Sequence, residues 1–224
     1  MRRSIVAAAV LTAVVLGTSA CSAGPDPEPS GSCRSNLGAS PTAAERAAER
    51  LAMPQGRFWK LIDVLHGSNS DAAYARLSRA LEPLPTKELE AYEIRMTLSL
   101  YRLDDQCRAH WYEHHDPTGS GFIADDDFLY DRADTVTAGR AVWAEAIRTD
   151  TLPWGSTDAV DGDGDGENLL YTADVAIDHR GGSSDRFEDA IAAALRLDDE
   201  TGSDPAGWPA PDPDSTSLNR LPDS

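Results

Sequence analysis

The sequence predicts an all-α protein: a compact single-domain bundle of about six helices between disordered N- and C-terminal segments. Apolar residues recur at spacings of three and four through most of the middle of the chain, which is the period of one helix face. Capping residues, prolines and glycines bracket those runs. No stretch alternates apolar with polar residues in the way a half-buried strand does.

The first helical run is AAERAAERLA, for which Ser40 supplies a cap and Pro41 a first-turn proline. RFWKLIDVLHG follows, with Phe58, Leu61, Ile62 and Leu65 on one face and a stop at Gly67. Tyr74, Leu77 and Leu81 then define a third helix, interrupted by Pro83 and Pro85. Thr86 caps the longest predicted helix, whose stripe of Leu89, Tyr92, Met96, Leu100, Leu103 and Cys107 implies about five turns. After the DPTGSG turn, Phe128, Arg132, Val136, Gly139 and Trp143 fall on a single face. A helix from Glu167 to about Asp178 is expected next, and a last one from near Ser184 carries Phe187, Ile191 and Leu195.

This helical domain, residues 41–199, is flanked by segments of another character. Residues 1–20 hold two arginines, an apolar run from Ile5 to Leu16 and small residues, which is the pattern of an export signal. The run is shorter than the roughly 20 apolar residues a membrane-spanning helix needs. Thr18-Ser19-Ala20-Cys21 resembles a bacterial lipobox, so Cys21 is the expected lipid attachment, and the Pro/Ser/Gly-rich residues 21–40 serve as a flexible linker. An ordinary signal-peptidase cut after Ala20 is the alternative. Residues 200–224 form an acidic Pro/Gly-rich tail that cannot bury enough apolar surface to order itself.

The formal net charge of −18 repels phosphate backbones and anionic headgroups, and no Lys/Arg cluster offsets it. Nucleic acid is excluded as a partner on that ground, and membrane contact is expected through the N-terminal lipid alone. With Cys21 lipidated, Cys33 and Cys107 remain to form a disulfide in an oxidising exterior. Closing that loop stabilises the fold by roughly 4.5 kcal/mol on a loop-entropy argument. The alternative is a buried free thiol at Cys107 and an exposed one at Cys33.

Two stretches have the composition of metal sites. In DGDGDGENLLY, Asp161, Asp163 and Asp165 fit the first three ligand positions of a calcium loop and Gly166 its glycine, with Asp174 as a fourth carboxylate. The twelfth position is Thr172 where calcium loops carry a bidentate carboxylate. The competing reading is an acidic turn whose Asp165 and Glu167 face the positive end of the next helix. In His110-Trp111-Tyr112-Glu113-His114, the spacing is that of H-x-x-E-H zinc peptidases, with Glu113 placed to polarise a zinc-bound water. Histidines near a helix C-terminus also interact with its negative end, which is the bland alternative. No strong catalytic signature appears. Apart from calcium, no cofactor is expected. Arg132 interrupts an apolar stripe, so it requires a buried carboxylate partner, for which Glu167 and Asp174 are the candidates.

Several landmarks together resemble the bacterial domain-of-unknown-function family 4240, over about residues 56–178. They are Phe58-Trp59-Lys60-Leu61-Ile62-Asp63; a segment with Asp125, Asp126, Phe128, Arg132, Gly139 and Arg140; and an element from Glu167 to Tyr171. DRADTVTAGR departs from that pattern, placing Asp131, Asp134 and Thr135 where the family is apolar. The resemblance implies a compact, mainly helical domain and no agreed activity. It also begins the last element at Glu167, which makes DGDGDG a loop ahead of a shared helix.

The functional expectation is therefore an exported, lipid-anchored binding or interaction module on the outer face of the cytoplasmic membrane, with a protein or cell-envelope partner. A metal-dependent hydrolase built on His110, Glu113 and His114 is one alternative, and a calcium-stabilised module built on Asp161–Asp165 is the other.

Overall fold

The computed structural model describes residues 38, 40–115, 125–152 and 166–184, without the side chains of residues 112–115 and 125–127. The chain divides into two compact units, Met1–Ser32 with Ser224 and Cys33–Asp223, and the described residues belong to the second. Among them there are nine α-helices, one 3-10 helix and no strand, so the all-α class holds. Six of the predicted helices fall on described residues and appear as nine because three of them are interrupted, while Phe187, Ile191 and Leu195 of the last predicted helix lie outside the described residues.

Helix α1 (Ala43–Leu51) starts at Thr42, two residues later than Ser40. The Thr42 hydroxyl accepts the Glu45 N–H while the Glu45 carboxylate takes the Thr42 N–H at 2.6 Å. That reciprocal capping box satisfies two backbone donors at once, which Ser40 cannot do because the residue three positions on is Ala43 and carries no carboxylate. Helix α2 (Gln55–Ile62) passes into a 3-10 turn at Asp63–Leu65 and ends at His66 and Gly67, both left-handed. Helix α3 (Asp71–Leu81) buries Tyr74, Leu77 and Leu81 as its spacing predicts.

Helix α4 (Thr86–Tyr101) is the centre of the domain. Thr86 is its first residue and not its cap, and no side chain caps this end. From Ile94 to Tyr101 every residue is buried, so α4 has no solvent face over its second half. A helix enclosed on all sides must have neighbours all round, and α1, α2, α6 and α9 pack against it.

The predicted five-turn helix stops at Tyr101. Leu103 N–H and Asp104 N–H bond back three residues, to Leu100 and Tyr101, and the chain restarts as α5 (Gln106–His115). The stripe through Leu103 and Cys107 therefore spans two helices. A second break separates α6 (Asp125–Thr137) from α7 (Arg140–Thr149) at Gly139, whose φ of 98° suits glycine alone. The third falls at Tyr171, between α8 (Glu167–Leu170) and α9 (Thr172–His179). There the Thr172 hydroxyl bonds the Leu169 carbonyl at 2.9 Å and competes with the helical ladder.

Aromatic packing ties the pieces together. Phe58 meets Trp59 edge-on with centroids 5.0 Å apart, Phe58 lies 5.4 Å from Tyr92 of α4, and Trp59 lies 5.4 Å from Trp143 of α7. The FWKLID hexapeptide is thus the joint between α2, α4 and α7.

Candidate functional site

The most unusual feature of the interior is its polar content at the α4–α5 corner. Asp104, Asp105, Gln106 and Arg108 are all buried there, and Arg108 is among the largest side chains with no exposure. Asp105 precedes α5 and accepts the Arg108 N–H at 2.9 Å, an N-cap role, while its second oxygen pairs with the Arg108 guanidinium. Arg108 also donates to the carbonyls of Ala146 and Ile147 at 3.3 Å. It sits 2.9 Å from Asp150 as an ion contact and not an aligned hydrogen bond. The guanidinium therefore neutralises the negative C-terminus of α7, where unsatisfied carbonyls otherwise point into a dry region.

Arg132 on α6 is buried as its place in an apolar stripe implies, and the ion pair described for it is with Asp104 at 3.5 Å. The sequence argument had put forward Glu167 and Asp174. Asp104 becomes available because the helix break turns the α4–α5 corner inward. Arg132 donates to the Phe128 carbonyl at 3.3 Å and lies over the Phe128 ring, 4.7 Å from its centroid. Burial pushes its pKa below the ordinary guanidinium range, and Asp104 opposes that shift. A third buried arginine, Arg95, makes a bidentate pair with Glu49 at 2.7 and 2.8 Å and donates to the Met53 carbonyl at 2.7 Å. These three cations join α4 to α1, α5 to α7, and α6 to the α4–α5 corner. Their planar donors are matched to carboxylates and helix-end carbonyls, which is the geometry of a structural clamp.

The polar residues of DRADTVT are accommodated by hydrogen bonds. Thr135, fully buried, bonds the Asp131 carbonyl at 2.9 Å. Asp134 accepts from Asn69 at 3.3 Å, and Thr137 shares a 3.2 Å bond with Tyr74 of α3. Tyr92 and Thr172 share another across α4 and α9, at 3.3 Å. Burial raises the Tyr92 hydroxyl above the usual phenol range.

The residues singled out from sequence are distributed as follows. Cys107 is half-buried and disulfide-bonded, while Cys21 and Cys33 lie outside the described residues. Asp161, Asp163 and Asp165 lie outside them too, and Asp174 is half-buried in the first turn of α9. Gly166 is described: a Cβ there would stand 2.0 Å from the Tyr130 carbonyl and 2.9 Å from Ala133. The last glycine of DGDGDG thus permits close packing on α6, a role independent of any metal. His110 is half-buried on α5, and the side chains of Glu113 and His114 lie outside the description. Among the described residues no group of three His, Cys, Asp or Glu is placed to hold a metal ion, and no helix is long and apolar enough to cross a membrane.

Of the family-like residues, Phe58, Trp59, Phe128 and Arg132 are buried. Gly139 and Arg140 form the α6–α7 joint, and Glu167 opens α8. Asp125 and Asp126 open α6, with side chains outside the description. Asp63 and Tyr171 are exposed. Sequence reasoning overlooked Arg95, Arg108, Asp105, Glu49 and Asp150. Asp105-x-x-Arg108 had a usable signal, an acidic N-cap candidate where an apolar stripe meets two adjacent aspartates. The partners of Arg95 had none, since Glu49 is 46 positions away.

A protein-family model described as Protein of unknown function (DUF4240) matches residues 53–178. No curated protein and no solved structure matches the chain.

Proposed function

Because the chain belongs to the DUF4240 family, a membership that assigns no activity, we propose a role from its own residues: an exported, lipid-anchored helical module that binds a protein or cell-envelope component at the outer face of the cytoplasmic membrane. The observation that carries this reading is the disulfide at Cys107. Stable disulfides belong to oxidising compartments outside the cytosol, which is where the signal-like residues 1–20 and the lipobox-like Thr18–Cys21 would send the chain.

The three buried arginines described are held by carboxylates and backbone carbonyls of neighbouring segments, so these polar groups give the module a rigid frame. The net charge of −18 directs the module to a partner with a cationic surface.

The test is expression of the full chain in a bacterial host fed a labelled fatty acid, followed by membrane fractionation and thiol labelling. The expected result is label on the wild type and none on Cys21→Ser, with the Cys107 thiol reactive only after reduction. An unlabelled chain in the cytoplasm with a free Cys107 thiol overturns the reading.

A further inference from the structure

We infer that a cleft between the start of α4 and the end of α9 binds a small zwitterion, an amino acid or short peptide with a free carboxylate and a free ammonium group. The inference goes beyond the binding role proposed for the chain and stands on this cleft alone. The cleft has a volume of about 540 Å³, and Thr86, Glu90, Ile177, Arg180, Gly181 and Gly182 line it. That volume falls within the roughly 300–1,000 Å³ of small-molecule sites. Its wall on the α9 side follows from how that helix ends. Gly181 N–H bonds the Asp178 carbonyl at 2.8 Å and Gly182 N–H the Ile177 carbonyl at 3.0 Å, a Schellman turn. Gly181 holds a φ of 71°, and a Cβ on Gly182 would stand 2.6 Å from Ile177 Cγ2. Glycine is therefore required at both positions, and neither puts a side chain into the cleft.

Two charged side chains of opposite sign face this cleft. Arg180 crosses from α9 to the α3–α4 connection, donating to the Glu82 carbonyl at 3.4 Å, to the Leu84 carbonyl, and to the Thr86 hydroxyl at 3.0 Å. Those contacts fix the guanidinium and use three of its five N–H donors, so two remain for a ligand. Glu90 lies one turn beyond Thr86 on α4 and is half-buried. Among the described residues it has neither a hydrogen bond nor an ion pair, with Arg180 or with any other group. Each charge is thus ready for a ligand group of the opposite sign, and charge-assisted hydrogen bonds are the strong ones. A ligand with a carboxylate alone would bring a second negative charge towards Glu90, and one with an ammonium group alone would bring a second positive charge towards Arg180. A molecule that carries both answers both. The first turn of α4, which no side chain caps, adds its positive end on the carboxylate side. Ile177 supplies an apolar wall that suits a small side chain.

The experiment titrates the full chain with L-alanine and with L-alanyl-L-alanine, reading heat by calorimetry and the midpoint of the thermal melt, which a ligand of the folded state raises. The comparison compounds are N-acetyl-L-alanine, which lacks the ammonium group, and L-alaninamide, which lacks the carboxylate. At least one zwitterion is expected to bind, and each blocked form to bind roughly ten- to a hundredfold more weakly, the worth of one hydrogen bond to a charged group. Tighter binding of the dipeptide assigns the cleft to peptides, and tighter binding of L-alanine to free amino acids. Glu90→Gln should leave the melt of the unliganded protein in place, since Glu90 anchors no described side chain, and should weaken the zwitterion by the same factor without weakening N-acetyl-L-alanine. Three results overturn the inference: neither zwitterion binds; N-acetyl-L-alanine binds as tightly as L-alanine, which makes the cleft a site for anions only; or Glu90→Gln binds the zwitterion as the wild type does, which puts the binding elsewhere.

Discussion

Gly166 and Arg108 illustrate how single residues carry this fold. A side chain at Gly166 collides with the backbone of α6, where Tyr130 O is 2.0 Å from the Cβ position and cannot swing away. Gly166→Ala is therefore expected to destabilise by about 1–3 kcal/mol, the usual range for overpacking, read as a lower midpoint in a thermal melt. An unchanged midpoint means the α6–α8 contact is looser than described. Arg108→Met leaves Asp105 buried without its cation and uncaps α7, so a loss of about 3–5 kcal/mol is expected from denaturant titration. Arg148, exposed beside Glu145, is the control: its replacement by alanine leaves the midpoint in place. Tyr92 predicts a pH effect. Its folded pKa is raised by burial, so its contribution is complete below the unfolded phenol value of about 10 and is lost as pH rises towards the folded value. Tyr92→Phe should flatten the decline of stability above about pH 10, and an equally steep decline refutes the assignment.

At the scale of elements, the breaks matter more than the helices. The α4–α5 corner turns two aspartates inward, and those carboxylates receive Arg108 and Arg132. At that corner Asp105 is the residue before α5 and caps it, a position that exists only because the helix restarts there. The α6–α7 joint depends on Gly139, where a Cβ meets open space but φ is 98°. Gly139→Ala should thus cost about 1 kcal/mol or more through backbone strain alone, unlike Gly166→Ala, whose cost is steric. The α2 joint rests on aromatic contact. Trp59→Ala removes packing against Phe58 and Trp143 and is expected to lower stability by about 3–5 kcal/mol, whereas Tyr171→Ala, at a side chain half exposed to water, leaves the melt nearly unchanged.

Across the whole molecule, the domain combines an apolar core centred on α4 with three buried arginine clamps, and a disulfide reinforces it at α5. Reduction is expected to lower the thermal midpoint, by an amount equivalent to as much as about 4 kcal/mol if the closed loop is long. A midpoint indifferent to dithiothreitol means the bridge at Cys107 does not stabilise the described domain.

The local information in the sequence was enough for the class and for much of the helix placement. Three- and four-residue spacing marked the buried faces of α2, α3 and α4, and the hexapeptide from Phe58 to Asp63 marked both the family and the aromatic joint. Periodicity reads straight through a break when the apolar stripe continues on both sides, as it does past Leu103, Gly139 and Tyr171, so those corners were not legible. Charge partners were hidden for a related reason. An ion pair depends on which distant segments meet, and Arg95 with Glu49, Arg108 with Asp150 and Arg132 with Asp104 are joined only when the helices turn back on one another. A sequence specifies by itself what each residue prefers to bury; which buried charge answers which is decided by the tertiary fold, because low-dielectric burial leaves each guanidinium dependent on whichever carboxylates the packing delivers.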